Sequence, residues 1–204
     1  MIDLAEVVYN LQSVCGFHEC IAKMRNGEIE GPYAELDLGR MLFLNRVPFK
    51  FVARQGVKGK DYDLEVEYSD GLVACAEAKC AIESATLSEN AVKNKLDAAR
   101  KQLPSLRPGI IFVKSPQGWM EDQRFLAFLD AATKAFFNGT KRIASVKFYA
   151  SPLSVDGGDV KQRHAYKEMS NPHNRFDTKR NWNLFRQFDF PPECRGMPAH
   201  WQRL

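Results

Sequence analysis

Leu4, Val7, Val8 and Leu11 recur at helical spacing, which predicts a first helix over residues 3–15 with Asp3 able to cap it. Gly16 and the polar stretch behind it read as a break, and Asn26-Gly27 as a turn. A second helix is expected from Gly31-Pro32, because proline suits a first helical turn. Its apolar stripe is Leu38, Met41, Leu42 and Leu44, Glu35 falls near its start, and Pro48 ends it. Three extended stretches follow, at 49–55, 61–68 and 72–80. Ser69-Asp70-Gly71 joins the last two, and Asp-Gly is a strong hairpin signal.

A helix over 88–103 is capped by Ser88, carries Ala91, Val92, Leu96, Ala99 and Leu103 on one face, and stops at Pro104. Ile110 to Val113 is a short apolar run bounded by turn residues, hence a buried strand. A helix over 121–137 and an alternating strand over 143–149 complete the regular part; beyond Pro152 the pattern weakens. The order is helix, helix, three strands, helix, strand, helix, strand. It predicts an α/β fold with a mixed, largely antiparallel central sheet flanked by helices.

The length of 204 residues suits a single domain that can bury roughly 70% of its unfolded surface without disulfides or metals. A composition 45% hydrophobic and 26% charged excludes disordered and fibrous classes. No apolar run approaches a membrane span. The opening MIDLAEVVYN lacks a basic segment followed by an apolar one, so no signal peptide is expected and the cytoplasm is the expected compartment. Five cysteines, an odd number, fit a reducing compartment. Cys15 with Cys20 and Cys75 with Cys80 have a spacing loose for zinc, and they read as buried small hydrophobes. Charge is uneven: residues 1–138 hold 17 Lys and Arg against 19 Asp and Glu, whereas 139–204 hold 12 against 6. A basic C-terminal extension, 151–204, packed on the rest suits a polyanionic partner.

Asp61, Asp63, Glu65 and Glu67 lie at period two and are expected on one strand face, with Tyr62, Leu64, Val66 and Tyr68 on the other. On the next strand Ala74, Ala76, Ala78 and Cys80 form a small-residue face, while Glu77 and Lys79 point the other way. Charges on such an apolar strand are costly to bury unpaired. The hairpin brings this pair beside the acidic face of its neighbour. An Asp on one strand and a Glu on the next can together hold one hard divalent cation, and carboxylates suit Mg²⁺. A lysine beside them can orient an attacking water and stabilise charge developing on phosphorus.

At these residues, KDYDLEVEYSDGLVACAEAKC, the chain resembles the PD-(D/E)xK nuclease superfamily: an acid at the start of one strand, then Glu-x-Lys on the next. The resemblance covers residues 31–115 and includes the restriction-endonuclease-like order αβββαβ. It implies that Asp63 and Glu77 ligate Mg²⁺ (or Mn²⁺) with the backbone carbonyl of Ala78, that Lys79 is the catalytic lysine, and that Glu35 is an assisting helical acid. No proline precedes the aspartate, and Asp61 competes with Asp63 for its role; the alternation of Leu64 and Val66 favours Asp63. On the following helix Lys93, Lys95, Arg100 and Gln102 are expected to meet the nucleic-acid backbone.

The function so implied is divalent-metal-dependent phosphodiester hydrolysis of DNA. A catalytically inactive scaffold that binds nucleic acid or protein, and an RNA-directed nuclease, are the alternatives. Cutting both strands of a duplex would favour a two-fold homodimer. His164, Asn171, His173 and Asn174 lack the ββα pattern of a histidine nuclease. Trp182 and Phe185, three apart, read as the inner face of a short helix closing the core, although aromatics among arginines can also stack bases.

Overall fold

The apolar stripes assemble a six-stranded mixed sheet with helices on both faces, seen in a computed structural model that describes residues 2–25, 29–57, 59–82, 84–150, 153–156, 159–162 and 165–184. Helices α1 (Ile2–Leu11), α2 (Phe17–Arg25) and α3 (Glu30–Leu44) come first. Strands β1 (Phe49–Phe51), β2 (Leu64–Glu67) and β3 (Val73–Cys80) then form an antiparallel meander. Helix α4 (Glu89–Gln102) carries the chain to β4 (Gly109–Lys114), parallel to β3. A short α5 (Gln117–Met120) and α6 (Phe125–Asn138) lead to β5 (Ile143–Ala150), parallel to β4. A separate hairpin, β6 (Leu153–Asp156) with β7 (Asp159–Gln162), precedes β8 (Ala165–Ser170), which pairs antiparallel with β5. The sheet order is β1-β2-β3-β4-β5-β8. Three of its pairings are antiparallel and two parallel, so the α/β class and mixed sheet are as the pattern predicts.

Each face of the sheet closes its own core. Leu11, Leu36, Leu38 and Leu42 of α1 and α3 pack with Leu64, Val66, Ala74, Ala76 and Phe112 on one side. Val92, Leu96 and Ala99 of α4, with Leu129 and Phe136 of α6, cover Cys75, Ile111, Val113 and Phe148 on the other. Both parallel crossovers use this second face, as connections of one handedness require. Ser88 caps α4, its hydroxyl oxygen accepting from the Ala91 N–H at 3.1 Å. No helix among the described residues is long and apolar enough to cross a membrane.

Several expectations are corrected. The polar stretch after Gly16 is helix α2: Phe17, Cys20, Ile21 and Met24 make an apolar stripe that docks on the first core, too short and too diluted by charge to stand out. The helix expected over 121–137 starts at Phe125, with α5 as a separate turn before it. The C-terminal region is not simply an extension, because β8 is a strand of the main sheet. Its alternation is broken by Glu168, which faces inward to meet Lys147. Trp182 does close the first core, but from an irregular segment rather than a helix; Phe185 and His164 lie outside the described residues. Cys20 and Cys75 are buried as expected, whereas Cys15 is exposed and Cys80 half-buried. Cys194 lies outside the described residues.

Candidate active site

The hairpin sets the register. Tyr68 N–H donates to the Leu72 carbonyl at 2.8 Å across a three-residue loop, with Gly71 supplying the positive φ of +81° that such a loop needs. The ladder then runs Glu67↔Val73, Val66↔Ala74, Glu65↔Cys75 and Leu64↔Ala76. There the ladder breaks: the Asp63 N–H donates to the Ala76 carbonyl at 3.1 Å, so Asp63 and Leu64 both stand against Ala76, and the Asp63 carboxyl comes within reach of the Glu77 charge. Two buried carboxylates that feel each other's charge repel unless a proton or a cation separates them.

Both acids are buried, Asp63 at 4% exposure and Glu77 at 1%. Asp63 Oδ2 accepts the Ala78 N–H at 2.8 Å, bridging the point where β2 begins and β3 runs on beside it. In an extended strand the N–H and C=O of one residue share an edge, so the Ala78 carbonyl lies on that same edge. Lys79 Nζ, its side chain 26% exposed, donates to Glu77 Oε1 at 2.5 Å. Glu77 Oε2 is buried and has no hydrogen-bond partner among the described residues. Burial, then the charges of Glu77 and Glu35, push the Asp63 carboxyl well above its usual range, against the pull of Lys79 and the Ala78 N–H. Burial likewise raises Glu77 to about 7, with Lys79 acting against it.

Glu35 of α3 reaches the same neighbourhood and is 2% exposed, but both its oxygens are held by Lys23 of α2, at 2.7 and 3.0 Å. Arg54 stands 3.8 Å from Glu35 Oε1. Among the described residues no group of three or more His, Cys, Asp or Glu is arranged to hold a metal. The donors that could hold a cation here are the Asp63 and Glu77 carboxylates with the Ala78 carbonyl. They are hard oxygens, they include the orphaned Glu77 Oε2, and they fit Mg²⁺ or Mn²⁺, which take one or two carboxylates and keep other positions for water and phosphate. The cluster lies toward the carboxyl end of β3, where open α/β sheets place their ligands.

Asp61 is elsewhere: its Oδ1 accepts the Gln55 N–H at 2.7 Å and closes the loop before β2. Nor do the four acids share one face. Tyr62 departs from the expected side, packs in the second core and donates to Glu65 Oε1 at 2.8 Å, because the strand's alternation breaks at Asp63. Arg107 and Lys50 also grip Glu65, at 2.6 and 2.8 Å.

Of the four positions on α4, Lys95 reaches back to β3, its Nζ donating to the Cys80 carbonyl at 2.8 Å. Lys93 is exposed near the start of α4, and Gln102 half-buried at its end. Arg100 is tied down there, to Asp97 at 3.0 Å and to the Gly139 carbonyl at 3.2 Å. Sequence reasoning missed Lys23, Arg54 and the buried polar group of Asp37, Arg40 and Lys114. In that group Lys114 Nζ stands 2.8 Å from Asp37 Oδ2 and 4.4 Å from the centre of the Tyr33 ring, and Arg40 lies 3.7 Å from Asp37 Oδ1. The available signal was the charge itself: Glu35, Asp37 and Arg40 fall within a helix buried almost continuously from Ala34 to Leu42, where each needs a partner.

Compared with family models, with curated proteins and with solved structures, the chain finds no match.

Proposed function

We propose that the protein is a Mg²⁺- or Mn²⁺-dependent phosphodiesterase acting on DNA, built on a PD-(D/E)xK-type site. One observation carries the reading: two buried carboxyls, Asp63 just before β2 and Glu77 on β3, lie within reach of each other's charge, with Glu77 Oε2 unpartnered among the described residues and the Lys79 ammonium alongside. The order α3-β1-β2-β3-α4-β4 supports the same superfamily. Four free cysteines among the described residues support a reducing, cytoplasmic setting.

A bound divalent cation would supply Lewis-acid polarisation of the scissile phosphate and a more acidic water. Asp63 and Glu77 would hold it together with the Ala78 carbonyl. Lys79, partly exposed and steadied by Glu77 Oε1, orients the attacking water and meets the negative charge that grows on the phosphoryl oxygens. Glu35, paired with Lys23, acts by its charge on Asp63 rather than as a ligand. Its engagement by Lys23 is also the feature that favours the second reading, a scaffold that binds nucleic acid without cutting it.

The test is cleavage of supercoiled plasmid, linear duplex, single-stranded DNA and RNA with Mg²⁺, with Mn²⁺ and with chelator. Metal-dependent cutting of DNA is expected, lowered by roughly 10²–10⁴-fold in Lys79→Ala and abolished in Glu77→Ala. Cutting confined to RNA reassigns the substrate. Binding without turnover on every substrate supports the scaffold, and turnover that survives both substitutions removes these residues from the mechanism.

A further inference from the structure

We propose that an open basic cavity at the far end of α4 is a phosphate-binding site that takes the sugar-phosphate backbone of a nucleic acid. Lys60, Arg100, Lys101, Lys141, Arg142 and Arg175 line this space of about 820 Å³, and among the described residues no lining residue is acidic. The cations come from four stretches of chain: the loop before β2, the end of α4, the α6–β5 turn and the segment after β8.

The fold holds these charges together and, among the described ion pairs, gives only Arg100 a carboxylate partner. The Arg142 guanidinium donates to the Arg100 carbonyl and the Arg100 guanidinium to the Gly139 carbonyl at 3.2 Å, while the backbone N–H of Arg175 ties its segment to the Lys141 carbonyl at 2.9 Å. Backbone carbonyls orient a guanidinium but leave its charge in place. Asp97, paired with Arg100 at 3.0 Å, is the one carboxylate among the described ion pairs of these six residues. Consistent with this, burial and then the charges of Arg100 and Arg175 lower the affinity of Arg142 for its proton. Guanidinium and ammonium groups converging on an open cavity are the chemistry that holds phosphate oxygens. Such contacts position a strand without reading its sequence.

A strand suits the cavity better than a lone nucleotide. The cations are spread over separate segments, and Lys60, Lys101, Lys141 and Arg175 are exposed. Leu106, 85% exposed, adds an apolar contact among the lining residues for a sugar or a base face. Helix α4 links this end to the candidate active site. Its 14 residues span about 21 Å, the axial rise of about six steps along a duplex. The spacing to Glu77 rests on the nuclease reading; binding at the cavity does not.

The experiment is fluorescence anisotropy of the full chain with a labelled 16-nucleotide single strand and the matching duplex, in chelator, across a salt series. Chelator keeps metal-dependent cleavage out of the measurement, so failure of the nuclease reading leaves this result standing. Lys141→Ala combined with Arg175→Ala removes two exposed cations, and Lys134→Ala, on the exposed face of α6, is the control. Thermal unfolding midpoints verify that the variants fold. The double variant is expected to bind the duplex at least tenfold more weakly and to lower the slope of log K against log salt by about 1.8, or by about 1.4 for the single strand. Lys134→Ala is expected to bind as the unmodified chain does. Three results overturn the proposal: equal affinity of double variant and unmodified chain, an unchanged salt slope, or a nucleoside triphosphate that binds the cavity as tightly as the oligonucleotide.

Discussion

Glu77 is the residue on which the chemistry and the stability of the molecule meet. Its carboxyl is held at about 7 by burial, whereas an unfolded glutamate titrates near 4.5. The folded state therefore binds the proton more tightly, and stability falls as pH rises from about 4.5 through about 7. Without metal, the chain should lose up to about 3 kcal/mol over that window from this group. Glu77→Gln, which cannot ionise, should flatten the loss; chemical denaturation at pH 5 and pH 8 in chelator measures it, and equal slopes in both proteins would refute the assignment. Glu65, on the neighbouring strand β2, behaves oppositely. Burial works to raise it, but Arg107, Lys50 and Tyr62 outweigh that and bring it down to about 2. Its contribution is present above its unfolded range and disappears as pH falls through about 2.

At the scale of elements, close approach decides how α3 sits over β1. A Cβ at Gly39 would lie 2.8 Å from Phe51 Cζ, 3.1 Å from Leu11 Cδ1 and 3.3 Å from Phe49 Cε2. Gly39→Ala should therefore destabilise by about 1–3 kcal/mol, despite the better helix propensity of alanine. Ser88→Ala removes the cap of α4 and should cost about 1 kcal/mol. Urea titrations of both variants test this; an alanine at 39 that stabilises would mean that α3 can move away from β1. The hairpin between β2 and β3 is fastened from a distance. Arg180 forks onto Asp70, at 2.5 and 2.6 Å, and stacks between Tyr68 and Trp182. A segment far along the chain thus steadies the loop that sets the register of β2 on β3.

Across the whole molecule, the sheet is closed by the polar pair that links β5 to β8. Lys147 is fully buried, donates to Glu168 and also reaches the Trp182 carbonyl at 3.2 Å. Burial lowers the affinity of Lys147 for its proton, and Glu168 opposes that effect. Lys147→Met leaves Glu168 without its cation and should destabilise by about 3–5 kcal/mol. Restoring neutrality with Glu168→Gln in the same chain should recover part of the loss, and thermal melts of the single and double variants decide it. A chain ending at residue 164 would lose β8 and Trp182 together, expose the edge of β5, and is expected to be insoluble.

Local signals determined most of the element order. Apolar spacing marked α1, α3 and α4, the bounded run at Ile110–Val113 marked β4, and Asp70-Gly71 marked the hairpin that pairs β2 with β3. Because a hairpin register is set by its own loop, the approach of the strand after Asp63 to the strand that carries Glu77 and Lys79 was also readable from sequence. The rest depended on groups distant along the chain. Asp61 and Asp63 look alike in sequence, and only the break in the strand sends one to the Gln55 N–H and the other to the Ala78 N–H. Helix α2 and strand β8 carry charges that weaken their patterns, and Lys23 and Glu168 are satisfied by Glu35 and Lys147 from other elements. The basic cavity gathers four stretches of chain that no spacing rule connects. Periodicity records which way a side chain faces; which charge it meets there is decided by packing, because the partner of a buried charge is chosen in space.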